Sequence, residues 1–215
     1  MTSATESAEI GEVITAGGIE TNVHIRRHPT SSDTVLLLHG SGPGVSAFAN
    51  WRLTIPYLEQ EMTVIAPDIV GFGFTERPAE VSYDLETWTA HAVDVLDALG
   101  VGRAHVVGNS FGGALALSLA AHHPHRVDRM VLMGAVGIPF NITRGLDAVW
   151  GYEPSVENMR AIMEFFAYDK SLLGDDLAAL RYQASSAPAF KKRSTRCSPS
   201  HGKPHSTPCA CRRIR

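Results

Sequence analysis

The chain has 215 residues, 44% of them hydrophobic, and a formal net charge of −3. That is enough apolar material for one domain with a sizeable core, and it argues against a nucleic-acid or membrane-surface role for the chain as a whole. The polar start, Met1 to Glu9, lacks an apolar signal core and no apolar run approaches transmembrane length, so a cytoplasmic enzyme is the expectation.

In chain order, Glu12 to Ala16 and Thr21 to Ile25 read as two short antiparallel strands joined by Gly17-Gly18. Thr34 to Leu38 is a buried strand running into the glycine-dense loop His39-Gly40-Ser41-Gly42-Pro43-Gly44. One helix is expected from Ala47 through Trp51 to Leu58, then a strand from Met62 to Ala66 ending at Pro67-Asp68. Leu85 to Leu99 is an amphipathic helix, with Trp88, Ala92, Val95, Leu96 and Leu99 on one face and Gly100 as its stop. A strand over Ala104 to Val107, a helix over Gly113 to Ala121 and a strand over Val127 to Met133 follow. Strands alternating with helices predict an α/β fold, a mostly parallel sheet with helices on both faces. Beyond Pro139 the pattern is helical, with Arg144 to Trp150, Ser155 to Ala167 and Leu172 to Gln183. The expected organisation is therefore a core over 1–139, a helical lid over 140–185 and a tail over 186–215.

Gly108-Asn109-Ser110-Phe111-Gly112 lies between the strand at Ala104 to Val107 and a strongly helix-forming run. In that setting G-x-S-x-G reads as a nucleophile elbow: Ser110 on a sharp turn, with flanking glycines that let strand and helix approach. The bland alternative is a Gly/Ser turn. The loop after the Thr34 to Leu38 strand would present the Ser41 backbone N–H opposite that of Phe111, making an oxyanion hole, the alternative being a tight loop with no role. His39 precedes the serine, the wrong order for a triad base, and reads as structural. Asp128, Asp147 and Asp169 follow Ser110, but none ends an apolar strand, where a triad acid belongs. His122, His123 and His125 could suggest a metal, yet they close a helix where cationic side chains suit the C-terminus. No metal site and no cofactor are expected.

The tail breaks the composition. Every acidic residue lies at or before Asp176, and Cys197, Cys209 and Cys211 all fall in a basic, aperiodic end. A disordered nucleic-acid-binding arm is one reading. A metal site from Cys197, His201, His205, Cys209 and Cys211 is a second, but the spacings match no compact zinc pattern. The third and preferred reading is a reading-frame change, for which the other frames past Ser185 would encode a strand ending in Asp and a later histidine. His201 and His205 sit in this segment and are not backed as the triad base.

His39 to Asn50 (HGSGPGVSAFAN), Ala66-Pro67-Asp68, Gly71 to Pro78 (GFGFTERP), Val107 to Gly113 (VGNSFGG), Val131 to Gly134 (VLMG) and Ala148 to Tyr152 (AVWGY) occur in order. Together these resemble the α/β-hydrolases that cleave carbon–carbon bonds in meta-ring-fission products. The likeness is greatest to 2-hydroxymuconic semialdehyde and 2-hydroxy-6-oxohepta-2,4-dienoate hydrolases, and it spans Glu9 to about Ala184. The resemblance implies an α/β-hydrolase fold and a small dienoate substrate, cleaved to 2-hydroxypenta-2,4-dienoate and a small carboxylic acid. It implies Ser110 as nucleophile, Ser41 and Phe111 as oxyanion hole, and Asn50 and Asn109 holding the dienoate end. Arg181 would bind the substrate carboxylate and Phe166 would lie against the diene, while without the family Arg181 reads as a solvated helix residue. For the intact members of that family the resemblance implies a homo-oligomer.

Two departures stand out. Members of that family continue past this point with further strands, a triad Asp and a Gly-His-Trp-like histidine, which are not found here, so the C-terminal part of the fold is expected to be missing and this chain to be inactive as it stands. A shorter mismatch covers Ile25 to Ser32. A catalytically dead fragment that only binds, or a serine esterase on the same fold, are the rival readings.

Overall fold

The computed structural model describes residues 8–186. Its chain divides into two compact units: Val45–Gly137 with the residues up to Ser41, and Gly42–Gly44 with the residues from Ile138 on.

The first unit is built on a six-stranded sheet of β1 (Glu12–Ala16), β2 (Ile19–Arg26), β3 (Thr34–Leu38), β4 (Thr63–Pro67), β5 (Ala104–Asn109) and β6 (Val127–Met133), in the order β1-β2-β4-β3-β5-β6. β1 and β2 form an antiparallel hairpin, and β2 joins β4 antiparallel. From β4 through β3 and β5 to β6 every pairing is parallel. Parallel strands need crossovers, supplied here by α1 (Ala47–Trp51), α2 (Ile55–Leu58), α3 (Leu85–Ala98) and α4 (Phe111–His122).

β3 is buried along its whole length because its alternate side chains serve two faces. Val35 and Leu37 pack with Ala47, Trp51, Ile55, Val64 and Ala66, whereas α4 covers β3 and β5. α3 starts at Asp84, whose carboxylate accepts the Thr87 N–H at 2.9 Å, and stops at Gly100, whose φ of +69° suits the left-handed residue after a helix.

Two differences from the sequence expectation go beyond a shift of one or two residues at an element's end. The single helix over Ala47 to Leu58 is two short helices, α1 and α2, with Pro56 in the first turn of the second. A proline there would remove an N–H and crowd the carbonyl four residues back if the first helix continued, so the chain breaks and restarts. In the second unit, which holds α5 (Arg144–Trp150), α6 (Val156–Phe166) and α7 (Asp175–Ser186), the last helix begins at Asp175 rather than Leu172. Asp169 accepts the Ser171 N–H and closes a separate 3-10 turn over Lys170–Leu172, and Gly174 then separates it from α7. Tyr152, Met159 and Ile162 form the core of this unit, with the Tyr152 hydroxyl 2.9 Å from the Ser185 hydroxyl.

The Ile25 to Ser32 segment is the end of β2 and the loop after it, in which His28 Nδ1 accepts the N–H groups of Thr30 and Ser31. The tail residues Cys197, His201, His205, Cys209 and Cys211 lie outside the described residues. Among the described residues no group of three or more His, Cys, Asp or Glu could hold a metal ion, and no helix is long and apolar enough to cross a membrane.

Candidate active site

Ser110 is the only non-glycine residue with positive φ among the described residues, at φ 52° and ψ −112°. Such a conformation costs on the order of 1–3 kcal/mol and survives only where the surroundings enforce it. Here β5 ends at Asn109 and α4 begins at Phe111, so one residue must turn the chain from strand to helix. The Ser110 N–H donates to the Met133 carbonyl at 2.8 Å, and its carbonyl accepts the N–H groups of Gly113 and Val136 at 3.0 and 3.2 Å. The backbone is pinned by these three bonds. A Cβ on Gly108 would press into the backbone of Gly112 and Gly113, so the strand-to-helix approach requires glycine there. Although Ser110 occupies the position before α4, its hydroxyl makes no capping bond.

Gly40 backs onto this turn: a Cβ built on it would lie 3.5 Å from the Ser110 Cβ. The Gly40 N–H is taken by Asn50 Oδ1 at 3.0 Å, so the amide free to face the serine is that of Ser41. Neither the Ser41 N–H nor the Phe111 N–H donates to an acceptor among the described residues. A free amide in the loop after β3 and another at the first residue of α4 are the donor types an oxyanion hole uses, and the positive end of α4 adds to the second, while Ser110 itself is half-buried.

His39 orients this loop, as its place in the sequence suggested. Its ring Nδ1 lies 2.7 Å from the Gly40 carbonyl and its Nε2 accepts the Ile69 N–H at 2.9 Å. A peptide N–H can only donate, so Nε2 carries no proton and the ring is the neutral Nδ1–H tautomer. A second buried histidine, His91, accepts the Val70 N–H at Nδ1 and bonds Thr21 Oγ1 through Nε2 at 2.9 Å. Burial is the main cause that lowers its pKa to about 4, with nearby His39 a smaller one.

Asp68, at the end of β4, is the site residue that sequence reading did not single out. It is fully buried, and its carboxylate accepts from Ala47 N–H at 2.5 Å, Phe74 N–H at 2.8 Å and Asn22 Nδ2 at 2.9 Å. It therefore fixes the start of α1, which carries Asn50, and the loop that holds Phe72 against His39. A strand-terminal Pro-Asp before a glycine-rich loop was the available signal.

Ser110, Ser41, Phe111, Asn50 and Asn109 are thus brought together in the first unit. Phe166 ends α6 and is 68% exposed, and Arg181 is half-buried on α7; both belong to the second unit. Asp128 pairs with Arg103 and His105, Asp169 caps a turn, and no His or carboxylate among the described residues hydrogen-bonds the Ser110 hydroxyl.

A mostly parallel sheet with a strained serine at its β5–α4 junction is the strand–serine–helix passage of a nucleophile elbow. The chain belongs to the α/β-hydrolases, the alpha/beta hydrolase fold family matching residues 33–209, and within them to the meta-cleavage-product hydrolases. It is 58% identical over 86% of its length to a 2-hydroxy-6-oxo-2,4-heptadienoate hydrolase of Pseudomonas putida (strain F1), and 53% identical over 88% to a 2-hydroxymuconate semialdehyde hydrolase of Pseudomonas sp. (strain CF600). It spans 66% of the length of each. A crystal structure of the meta-cleavage product hydrolase from Pseudomonas fluorescens IP01, complexed with acetates, superposes with a TM-score of 0.83 at 53% identity, covering 91% of this chain and 70% of that one.

Proposed function

We propose that this chain carries the nucleophile half of a hydrolase that cleaves a carbon–carbon bond in small 2-hydroxy-6-oxodienoates. The observation that carries the reading is Ser110, held at positive φ between β5 and α4 with its hydroxyl uncapped and the Ser41 and Phe111 amides free. The identity of 53–58% to hydrolases named for 2-hydroxymuconate semialdehyde and 2-hydroxy-6-oxo-2,4-heptadienoate supports the substrate class.

In this reading the dienol substrate first takes its keto form. Ser110 Oγ attacks the distal carbonyl, and the oxyanion is held by the two amides. Collapse breaks the C–C bond, its electron pair passing to the dienoate fragment, which takes up the proton that the serine hydroxyl gave up on attack. Water then frees the small carboxylic acid from the serine. Asn50 and Asn109 would hold the dienoate end. Arg181 would pair with the carboxylate, a guanidinium being its natural bidentate partner, and Phe166 would lie against the diene. The reading includes a cytoplasmic enzyme with no cofactor, no nucleic-acid or membrane partner, and a homo-oligomeric state, to be checked by fractionation and light scattering.

A neutral serine hydroxyl without a base is a poor nucleophile, and loss of a triad member reduces turnover by several orders of magnitude. The 215-residue chain by itself should therefore turn over slowly. The test follows loss of the dienolate's visible absorbance with enzyme in excess over 2-hydroxy-6-oxohepta-2,4-dienoate. Slow decay that S110A abolishes supports the reading. Decay equal in S110A and the unaltered chain defeats it, and hydrolysis of p-nitrophenyl esters with the dienoate untouched would favour a serine esterase. Rates matching the longer relatives would mean that His201 or His205 serves Ser110.

A further inference from the structure

Asn50 Oδ1 accepts two hydrogen bonds at 3.0 Å, one from the Gly40 N–H and one from Asn109 Nδ2. The first comes from the loop that presents the Ser41 amide. The second comes from the residue directly before Ser110. Because a peptide N–H can only donate, Gly40 fixes which end of the Asn50 amide faces inward, and Asn50 in turn fixes the orientation of the Asn109 amide. Asn50 itself is anchored. Its own N–H donates to the Ser46 carbonyl at 3.1 Å, and the start of α1 is held by Asp68 and by the Ser46 hydroxyl, which accepts the Ala49 N–H at 3.1 Å.

We propose that Asn50 is a positioning residue, a bracket that sets the gap between the oxyanion loop and the nucleophile elbow independently of any contact it makes with substrate. The inference rests on the reading of Ser110 as nucleophile. Each half of the oxyanion hole comes from a different element, Ser41 from the loop after β3 and Phe111 from α4. Gly40 directly precedes Ser41 and Asn109 lies two residues before Phe111, and Asn50 Oδ1 is the acceptor they share. Without it the two amides converge only as well as the glycine-rich loop happens to lie. Displacement of a catalytic group by about 1 Å can reduce a rate by roughly a hundredfold.

The test uses a small uncharged alkyl fluorophosphonate, which has no dienoate group for an asparagine to hold. At alkaline pH Ser110 Oγ bonds to phosphorus, the P–F bond breaks, fluoride leaves and hydroxide takes the serine proton; intact mass reads the adduct. N50L should lower the maximal labelling rate roughly tenfold or more, leaving the probe concentration for half-maximal rate unchanged. N109L should lower it less, and the double variant should be no slower than N50L, since both act through one acceptor. Hydrogen exchange on the unaltered chain gives a reading that needs no variant: the Gly40 amide should be protected relative to those of Ser41 and Phe111. N50L labelled as fast as the unaltered chain while S110A stays unlabelled, a change confined to the half-maximal concentration, or an unprotected Gly40 amide would each overturn the bracket. An unaltered chain labelled no faster than S110A would overturn the nucleophile reading, and the bracket's role with it.

Discussion

Gly112, in the first turn of α4, lies so close to the carbonyl of Leu38 at the end of β3 that any Cβ there would run into that backbone. The contact is backbone on backbone, with no flexible side chain to give way. It is what seats the nucleophile helix over the strand that leads into the oxyanion loop. Gly112→Ala should therefore destabilise the fold by about 2 kcal/mol or more, within or above the usual range for overpacking. Gly102, with open space around its Cβ position and no positive φ, is the control. Gly102→Ala should be neutral or stabilising by up to about 1 kcal/mol. Urea midpoints of the two variants decide this, and equal midpoints would refute it.

The buried His91 makes acid stability a second measurable. Its folded pKa is about 4 against 6.5 for the free side chain. Between those values the unfolded chain binds the extra proton and the folded chain does not. The contribution is therefore fully present above pH 6.5 and is lost as the pH falls toward 4, at up to about 1.4 kcal/mol per pH unit. His91→Gln cannot titrate, so its urea midpoint should fall less steeply over that window than that of the unaltered chain. Parallel slopes would show that His91 is not the group responsible.

The three N–H donors on Asp68 supply a third prediction. Asp68→Asn replaces one acceptor oxygen by an amide NH2 facing groups that can only donate. Leaving buried donors unmatched costs on the order of 1–3 kcal/mol each, so a loss of about 2 kcal/mol or more is expected. Asp147→Asn, at an exposed position on α5, should change stability by less than about 0.5 kcal/mol. Chemical denaturation measures both, and a small effect at Asp68 would contradict the hydrogen-bond assignment.

Among the described residues β6 is the outer strand of the parallel part of the sheet, yet Val131, Leu132 and Met133 are 55%, 40% and 48% exposed. Parallel strands are ordinarily covered, and an apolar open edge invites pairing with other chains. The chain should bind ANS and self-associate, and Val131→Lys should raise the monomer fraction at equal concentration. Size-exclusion with light scattering reads the outcome. A monomer that binds no ANS and melts sharply would refute the expectation.

Much of this was legible in the residues. β1, β3, α5 and the elbow were readable because periodicity, glycine placement and turn chemistry are local properties of the chain. The position of Ser110 between β5 and α4 was readable for the same reason, since a strand–GxSxG–helix passage can place its serine in few ways. The break at Pro56 is local as well, because a proline in mid-helix removes a hydrogen bond whatever surrounds it. Arg181 and Phe166 came only from resemblance, as neither has a local pattern that distinguishes it from a surface helix residue.

The sequence alone determined which segments are strands and helices and where the serine sits, because those follow from short-range backbone preferences and from the alternation of apolar residues. It could not show that Asn50 Oδ1 gathers Gly40 and Asn109, that Asp68 collects donors from Asn22, Ala47 and Phe74, or that His91 is buried against Thr21 and Val70. These partners are separated by 6 to 70 positions along the chain. They meet only because β2, β3, β4 and β5 are laid side by side in the sheet, and a buried polar group takes whichever donor or acceptor that assembly brings within reach.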